Sequence, residues 1–208
     1  MKFDLHMHTT RHSPDSQMDP FEMCRQARAI GLDGVVITEH DWLWTGPELD
    51  ELRKAQPDLV ILAGIEVSAY EGHFLVYGVT NAFAVPKGIR VAALCDEVHA
   101  QGGAVVAAHP FRWNQPFEDI LRRENPALDG LELMTSNMDP ECRRRAAGVR
   151  ARLSLAGLGS SDAHHEDTLG FCHTDFPDGT TTMTDLVSAI RGRRTAARDG
   201  RPGVGSPV

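Results

Sequence analysis

Gly34-Val35-Val36-Ile37-Thr38-Glu39-His40-Asp41 is the stretch that decides the fold. Its first half is an unbroken apolar and β-branched run. That is the pattern of a strand buried on both faces, as in a parallel sheet covered by helices. Its second half puts two carboxylates and an imidazole directly at the strand's C-terminal end. On the N-terminal side, Asp19-Pro20 opens an amphipathic helix over residues 21–30, with Asp19 as N-cap and Pro20 at the first helical position, closed by Gly31. On the C-terminal side, residues 47–55 read as a helix. Further out, strands are expected at 3–7, 59–67, 74–79, 104–108, 130–134 and 155–160. Helices are expected at 91–101, 117–123, 140–153 and 184–193. Strand and helix alternate, which predicts an α/β fold, either a parallel barrel or an open doubly wound sheet. The 208 residues suit one domain, expected over 1–194. From Thr195 onward there is little to bury, and 195–208 reads as a flexible tail.

Composition removes several function classes. Apolar residues make up 41% and charged residues 24%, ordinary values for a globular chain. No apolar run approaches the roughly 20 residues of a membrane span, and Asp4 and His6 interrupt any signal-peptide core. The net charge of −8 is unlike the basic stripe of a general nucleic-acid binder. The cysteines Cys24, Cys95, Cys142 and Cys172 form no CxxC pair. They read as free thiols in a reducing compartment, which points to the cytoplasm.

The ionisable residues collect at strand ends. His6 and His8 end the first strand, Glu39, His40 and Asp41 the second, and Glu66 the third. His109 follows 104–108, Glu132 lies in 130–134, and Asp162 and His164 follow 155–160. In a parallel barrel those ends meet at one mouth, where active sites are built. Seven of the ten histidines (His6, His8, His40, His73, His109, His164, His165) lie at or near such positions. Imidazole and carboxylate repeated from strand to strand are what a multinuclear metal site requires. His6 and His8, two apart in a strand, share a face and offer two imidazoles to one ion. Such a donor set suits Zn, Mn or Fe.

The motifs Asp4-Leu5-His6-Met7-His8-Thr9, Ser13-Pro14-Asp15-Ser16, Ile37-Thr38-Glu39-His40-Asp41, Gly64-Ile65-Glu66-Val67, Gly72-His73-Phe74-Leu75, Ala108-His109-Pro110 and Ser161-Asp162-Ala163-His164 together resemble the PHP (polymerase and histidinol phosphatase) family. The resemblance implies a distorted (β/α)7 barrel with the metal site at the C-terminal ends of the strands, and three divalent ions. It implies His6, His8, Glu66 and Asp162 on the first ion, and a bridging Glu66 with His73 and His109 on the second. His40, His164 and Asp15 would hold the third, with His12 competing for the place of Asp15. The family usually has aspartate where this chain has Glu39, so altered support of His40 is expected.

The chemistry the resemblance implies is phosphoester hydrolysis by a metal-bridging hydroxide, with Asp162 in the catalytic centre. A phosphate clamp should be basic. Arg112, shortly after His109, and Arg11, after His8, are the candidates; either is otherwise a solvated surface residue. Arg143, Arg144 and Arg145 read as a solvated helix face. Trp42 and Trp44 are either an aromatic wall or ordinary packing. Glu132 is either a carboxylate orienting a ligand histidine or a capped strand residue. The expected substrate is a small phosphomonoester or nucleotide. Alternatives are an exonuclease or phosphodiesterase on oligonucleotides, and a non-catalytic metal-binding module.

Overall fold

The structure, a computed structural model, describes residues 1–200. β1 (Lys2–Asp4), β2 (Gly34–Ile37) and β3 (Val60–Ala63) are parallel neighbours, joined through α1 (Pro20–Ala29) and α2 (Gly46–Ala55). α1 begins as its sequence dictates: Asp19 Oδ1 accepts from the backbone N–H of Phe21 (2.9 Å) and Glu22 (3.1 Å), and Pro20 opens the helix. The second sheet holds β4 (Ile65–Ala69), β5 (Gly72–Tyr77), β6 (Ala104–Ala107), β7 (Gly130–Met134) and β8 (Ala156–Gly159). α3 (Val91–Ala100), α4 (Phe117–Glu124) and α5 (Pro140–Leu153) connect its later strands, and α6 (Met183–Arg191) follows β9 (Cys172–Asp175).

The described strands do not close into a barrel. They form two five-stranded mixed sheets, one in the order β10 (Ala196–Asp199), β9, β1, β2, β3 and the other in the order β4, β5, β6, β7, β8. The expected single strand over 59–67 is split at Gly64, where the chain leaves the first sheet and enters the second. A Cβ at Gly64 would lie 2.7 Å from the Val76 carbonyl, so glycine alone allows this approach. β5 is antiparallel to both β4 and β6; the Tyr70-Glu71 turn that joins it to β4 is too short for a crossover helix. The sheets touch at two isolated parallel bridges, His40 with Glu66 and Met7 with Ala163.

The tail expected from 195 is corrected at its start. β10 (Ala196–Asp199) pairs antiparallel with β9, and both strands escape the sequence pattern because they are short and carry polar residues. The rest of that tail, 201–208, lies outside the described residues. One core cluster draws on both sheets, with Phe3, Leu5 and Val36 against Leu75, Tyr77, Val106 and Leu158, and Leu186 and Ile190 of α6 pack into it. Separate clusters lie between each sheet and its helices. Among the described residues no helix is long and apolar enough to cross a membrane.

Candidate metal centre

Glu66 is the hub. It is buried in β4, and its Oε2 lies 3.3 Å from His6 Nε2, 3.3 Å from His8 Nε2 and 2.9 Å from His40 Nδ1. Its Oε1 lies 2.9 Å from His73 Nδ1 and 3.0 Å from His109 Nε2. His6, His8 and Glu66 are brought in by the ends of β1 and β4. His73 arrives from the N-terminal end of β5, which reaches the same mouth because β5 runs the other way. Asp162, in the loop after β8, places Oδ1 3.3 Å from His6 Nε2 and 3.4 Å from His8 Nε2. Its Oδ2 accepts from Arg112 Nη1 (2.6 Å) and Asn137 Nδ2 (2.8 Å). The residues fall into three groups whose donor atoms lie within 4.8 Å of one another: His6, His8, Glu66 and Asp162; Glu66, His73 and His109; and His8, His40 and His164.

Asp15 stands beside the third group, with Oδ2 3.2 Å from His40 Nε2 and 3.5 Å from His164 Nε2. His12 is drawn elsewhere: its Nε2 meets Glu48 Oε1 at 2.7 Å and its ring stacks on Trp42. His165 joins none of the groups. Arg112 lies at the cluster through Asp162, whereas Arg11 pairs with Glu51 (3.1 Å) and lies over Trp44. Trp44 is buried and donates Nε1–H to Glu39, so it packs; Trp42 is half exposed. Arg144 pairs with Glu141 on the exposed face of α5, but Arg143 turns inward to the carbonyls of Thr135 and Met138.

Glu39 does not support the His40 ring as expected. Its Oε2 accepts from Ser13 Oγ and Thr9 N–H, and Ser13 Oγ lies 3.3 Å from His8 Nδ1 and accepts the His40 backbone N–H. The carboxylate therefore braces His8 through Ser13. Successive strand residues face opposite ways, so Glu39 and His40 point apart. Asn137 was not singled out in the sequence; its position just beyond β7 was the signal that could have found it.

The electrostatics are those of a site built for positive charge. Burial opposes charge on the His6 ring, but Asp162, Glu66 and Glu132 outweigh it and raise His6 well above the usual imidazole range. Burial likewise opposes ionisation of Glu66 and Asp162, yet the neighbouring imidazoles, His6 foremost, hold both carboxyls low. Three atoms of the first group, His6 Nε2, His8 Nε2 and Glu66 Oε2, are buried with no hydrogen-bond partner. An unpaired buried polar atom costs about 1–3 kcal/mol. Imidazole nitrogens and carboxylate oxygens converging on one point, left unpaired by the protein, fit a divalent cation.

The family description "PHP domain" matches residues 4–138, and "PHP-associated" matches 140–195. The chain belongs to the PHP family. An uncharacterised protein from Methanocaldococcus jannaschii is 29% identical over 120 residues, 53% of this chain and 68% of that one. Among solved structures, a Bacteroides vulgatus two-domain protein described as containing a predicted PHP-like metal-dependent phosphoesterase aligns with a TM-score of 0.74 at 21% identity. The alignment covers 96% of this PHP chain and 64% of that one, so the chain spans about two-thirds of that neighbour. A lesion-specific endonuclease from Pyrococcus furiosus aligns with a TM-score of 0.64 at 18% identity, over 92% of this chain and 56% of the endonuclease. At these identities the likeness is one of fold.

Proposed function

We propose that this PHP protein is a metal-dependent phosphatase acting on a small phosphomonoester or nucleotide. The observation that carries the reading is the set of three overlapping ligand groups around one buried, partly unpaired carboxylate, Glu66. His6, His8, Glu66 and Asp162 would hold a first ion, Glu66, His73 and His109 a second, and His40, His164 and Asp15 a third. The donors suit Mn, Zn or Fe. Ions so held supply a water acidified toward neutral pKa and counter-charge for phosphoryl oxygens.

The chain's own residues do the rest. Arg112 and Asn137 fix Asp162 through one oxygen, leaving Oδ1 toward the imidazoles. Arg112 keeps its Nε buried and unpartnered, and it is the cation best placed to take a phosphoryl oxygen. The guanidinium of Arg11 is spent on Glu51, which favours Arg112 as the clamp. Cys24, Cys95 and Cys142 are free thiols, which suits a reducing compartment such as the cytoplasm.

Cleavage of oligonucleotides is the second reading. Trp113 is 81% exposed, and its ring centroid lies 6.5 Å from that of His109, a stacking face for a base beside the cluster. Protein purified with Mn, assayed on phosphomonoesters, nucleotide bisphosphates and short oligonucleotides, separates the readings. His6→Ala and Asp162→Ala should abolish whichever activity is found; activity equal to wild type in both variants would place the chemistry elsewhere.

A further inference from the structure

Glu132 is a fully buried carboxylate at the mouth that belongs to none of the three ligand groups. Glu132 lies in β7, opposite Leu158, where the ladder is irregular between Glu132 and Met134. Such a bulge re-aims side chains. Its Oε1 meets His6 Nδ1 at 3.0 Å and accepts from the Ser160 hydroxyl. Its Oε2 accepts the His109 backbone N–H at 2.6 Å. One side chain thus touches a member of each of two ligand groups without joining either.

We propose that Glu132 is a positioning residue that presets both groups at once, an inference that rests on the metal-site reading above. It keeps the His6 proton on Nδ1 and leaves Nε2 as the metal-facing nitrogen. It also holds the backbone from which the His109 ring reaches Glu66.

A neutral imidazole carries one proton, and the partner of one nitrogen decides which nitrogen bears it. An ionised carboxylate only accepts, so Nδ1 is the donor. With a cation bound, Nε2, which has no hydrogen-bond partner and lies 3.3 Å from both Glu66 Oε2 and Asp162 Oδ1, is then the nitrogen left to present its lone pair to the ion. His109 has φ of 30°, a left-handed conformation that a residue with a Cβ holds only under constraint. A charge-assisted hydrogen bond from its own N–H supplies that constraint.

The chemistry demands a carboxylate rather than an amide. The imidazole N–H, the backbone N–H and the hydroxyl converge on Glu132, and a glutamine offers one oxygen for them. In Glu132→Gln the amide nitrogen must face either His6 or His109. Facing His6, it donates to Nδ1 and moves the proton to Nε2, which then cannot bind a metal. Facing His109, donor meets donor and the segment shifts.

The test is zinc titration by calorimetry of chelator-treated wild type, Glu132→Gln and Ser160→Ala. It is paired with ¹⁵N NMR of the histidine rings in the zinc-loaded proteins. Glu132→Gln should keep the wild-type circular dichroism and lose about 10–100-fold in zinc affinity. It should also lose the His6 Nδ1–H signal or the ordered His109 signals. Ser160→Ala, which removes the one Glu132 contact that touches no histidine, should stay near wild type in affinity and ring signals. A merely structural Glu132 would change the melting temperature and leave the His6 proton on Nδ1. If Glu132→Gln does not fold, Glu132→Asp serves, since it keeps the charge and retracts from the span between His6 and His109; the same loss is expected. Wild-type zinc affinity and an unmoved Nδ1 proton in the folded variant would overturn the inference alone. Failure of wild type to bind zinc would overturn the metal-site reading with it.

Discussion

Asp162→Asn is predicted to dismantle the first ligand group while leaving its shape intact. Arg112 Nη1 and Asn137 Nδ2 both donate to Asp162 Oδ2, at 2.6 and 2.8 Å. The asparagine oxygen must take that place, because two donors already point there. The amide nitrogen is then turned toward His6 and His8, where Asp162 Oδ1 now lies 3.3 and 3.4 Å from their Nε2 atoms. A ligand and a negative charge disappear together. Unit charges at that separation, with an effective dielectric near 20, interact by about 5 kcal/mol. A loss of about 3 kcal/mol is enough to weaken Mn or Zn binding by roughly 100-fold. Metal at about 100 times the wild-type Kd should stabilise wild type by about 2.7 kcal/mol. For a chain of this size that is a rise in Tm of about 5–11 °C. The same metal concentration only matches the variant's Kd, so it should gain about 0.4 kcal/mol and a degree or two. Thermal melts of chelator-treated protein with and without Mn, alongside calorimetric titration, read this directly. An Asp162→Asn variant with the full wild-type rise in Tm would refute the assignment of Asp162 to the metal.

Three further outcomes follow from the same geometry. Metal-free protein should be most stable under mildly acidic conditions. Burial pushes the Asp4 carboxyl up to about 6 despite hydrogen bonds from Ser161 and Gly170, so its neutral form is favoured in the fold and about 3 kcal/mol is lost as the pH rises from about 4 to 6. The raised His6 contributes fully below about pH 6.5 and is lost as the pH climbs through its folded value, while the lowered Glu66 and Asp162 lose theirs as the pH falls below about 4. Urea melts in chelator that show greater stability at pH 8 than at pH 5 would contradict this. Burial also pushes the thiols of Cys24 and Cys95 up to about 12, so roughly one molecule in ten thousand is thiolate at pH 8. A thiol reagent should label the half-buried Cys142 first and reach Cys24 and Cys95 only on unfolding; rapid labelling of either in native protein would show that the core opens. Arg112→Ala should lower kcat/KM by about 10–100-fold, with Arg112→Lys recovering little because a lysine cannot bond bidentately; unchanged kinetics would remove Arg112 from the substrate.

The parts of the fold that were legible in the sequence are those where a local pattern has one structural solution. Gly34–Ile37 has no polar alternation because it is buried on both faces, and it is a central parallel strand. His6, His8, Glu66, His109 and Asp162 were legible because ionisable groups at strand ends converge whether or not the strands close a ring. The irregular parts hid for the same physical reason that makes them useful. The apolar run over 59–67 carries no polar break where it changes sheets, and only Gly64 marks the switch. The support of Glu39 for His8 was hidden because it travels through space to Ser13 rather than along the chain to His40. These departures from a regular barrel position the site. The switch at Gly64 carries β4 out of the first sheet while its Glu66 still bridges to His40 at the end of β2. The reversal of β5 puts His73 opposite Ser68 and 2.9 Å from Glu66 Oε1. Had the chain crossed over through a helix and returned parallel, the C-terminal end of β5 would face the mouth and His73 would lie at the far end of the sheet. The antiparallel hairpin, a departure from an all-parallel barrel, is therefore what delivers His73, one of the three residues of the second ligand group, to the others.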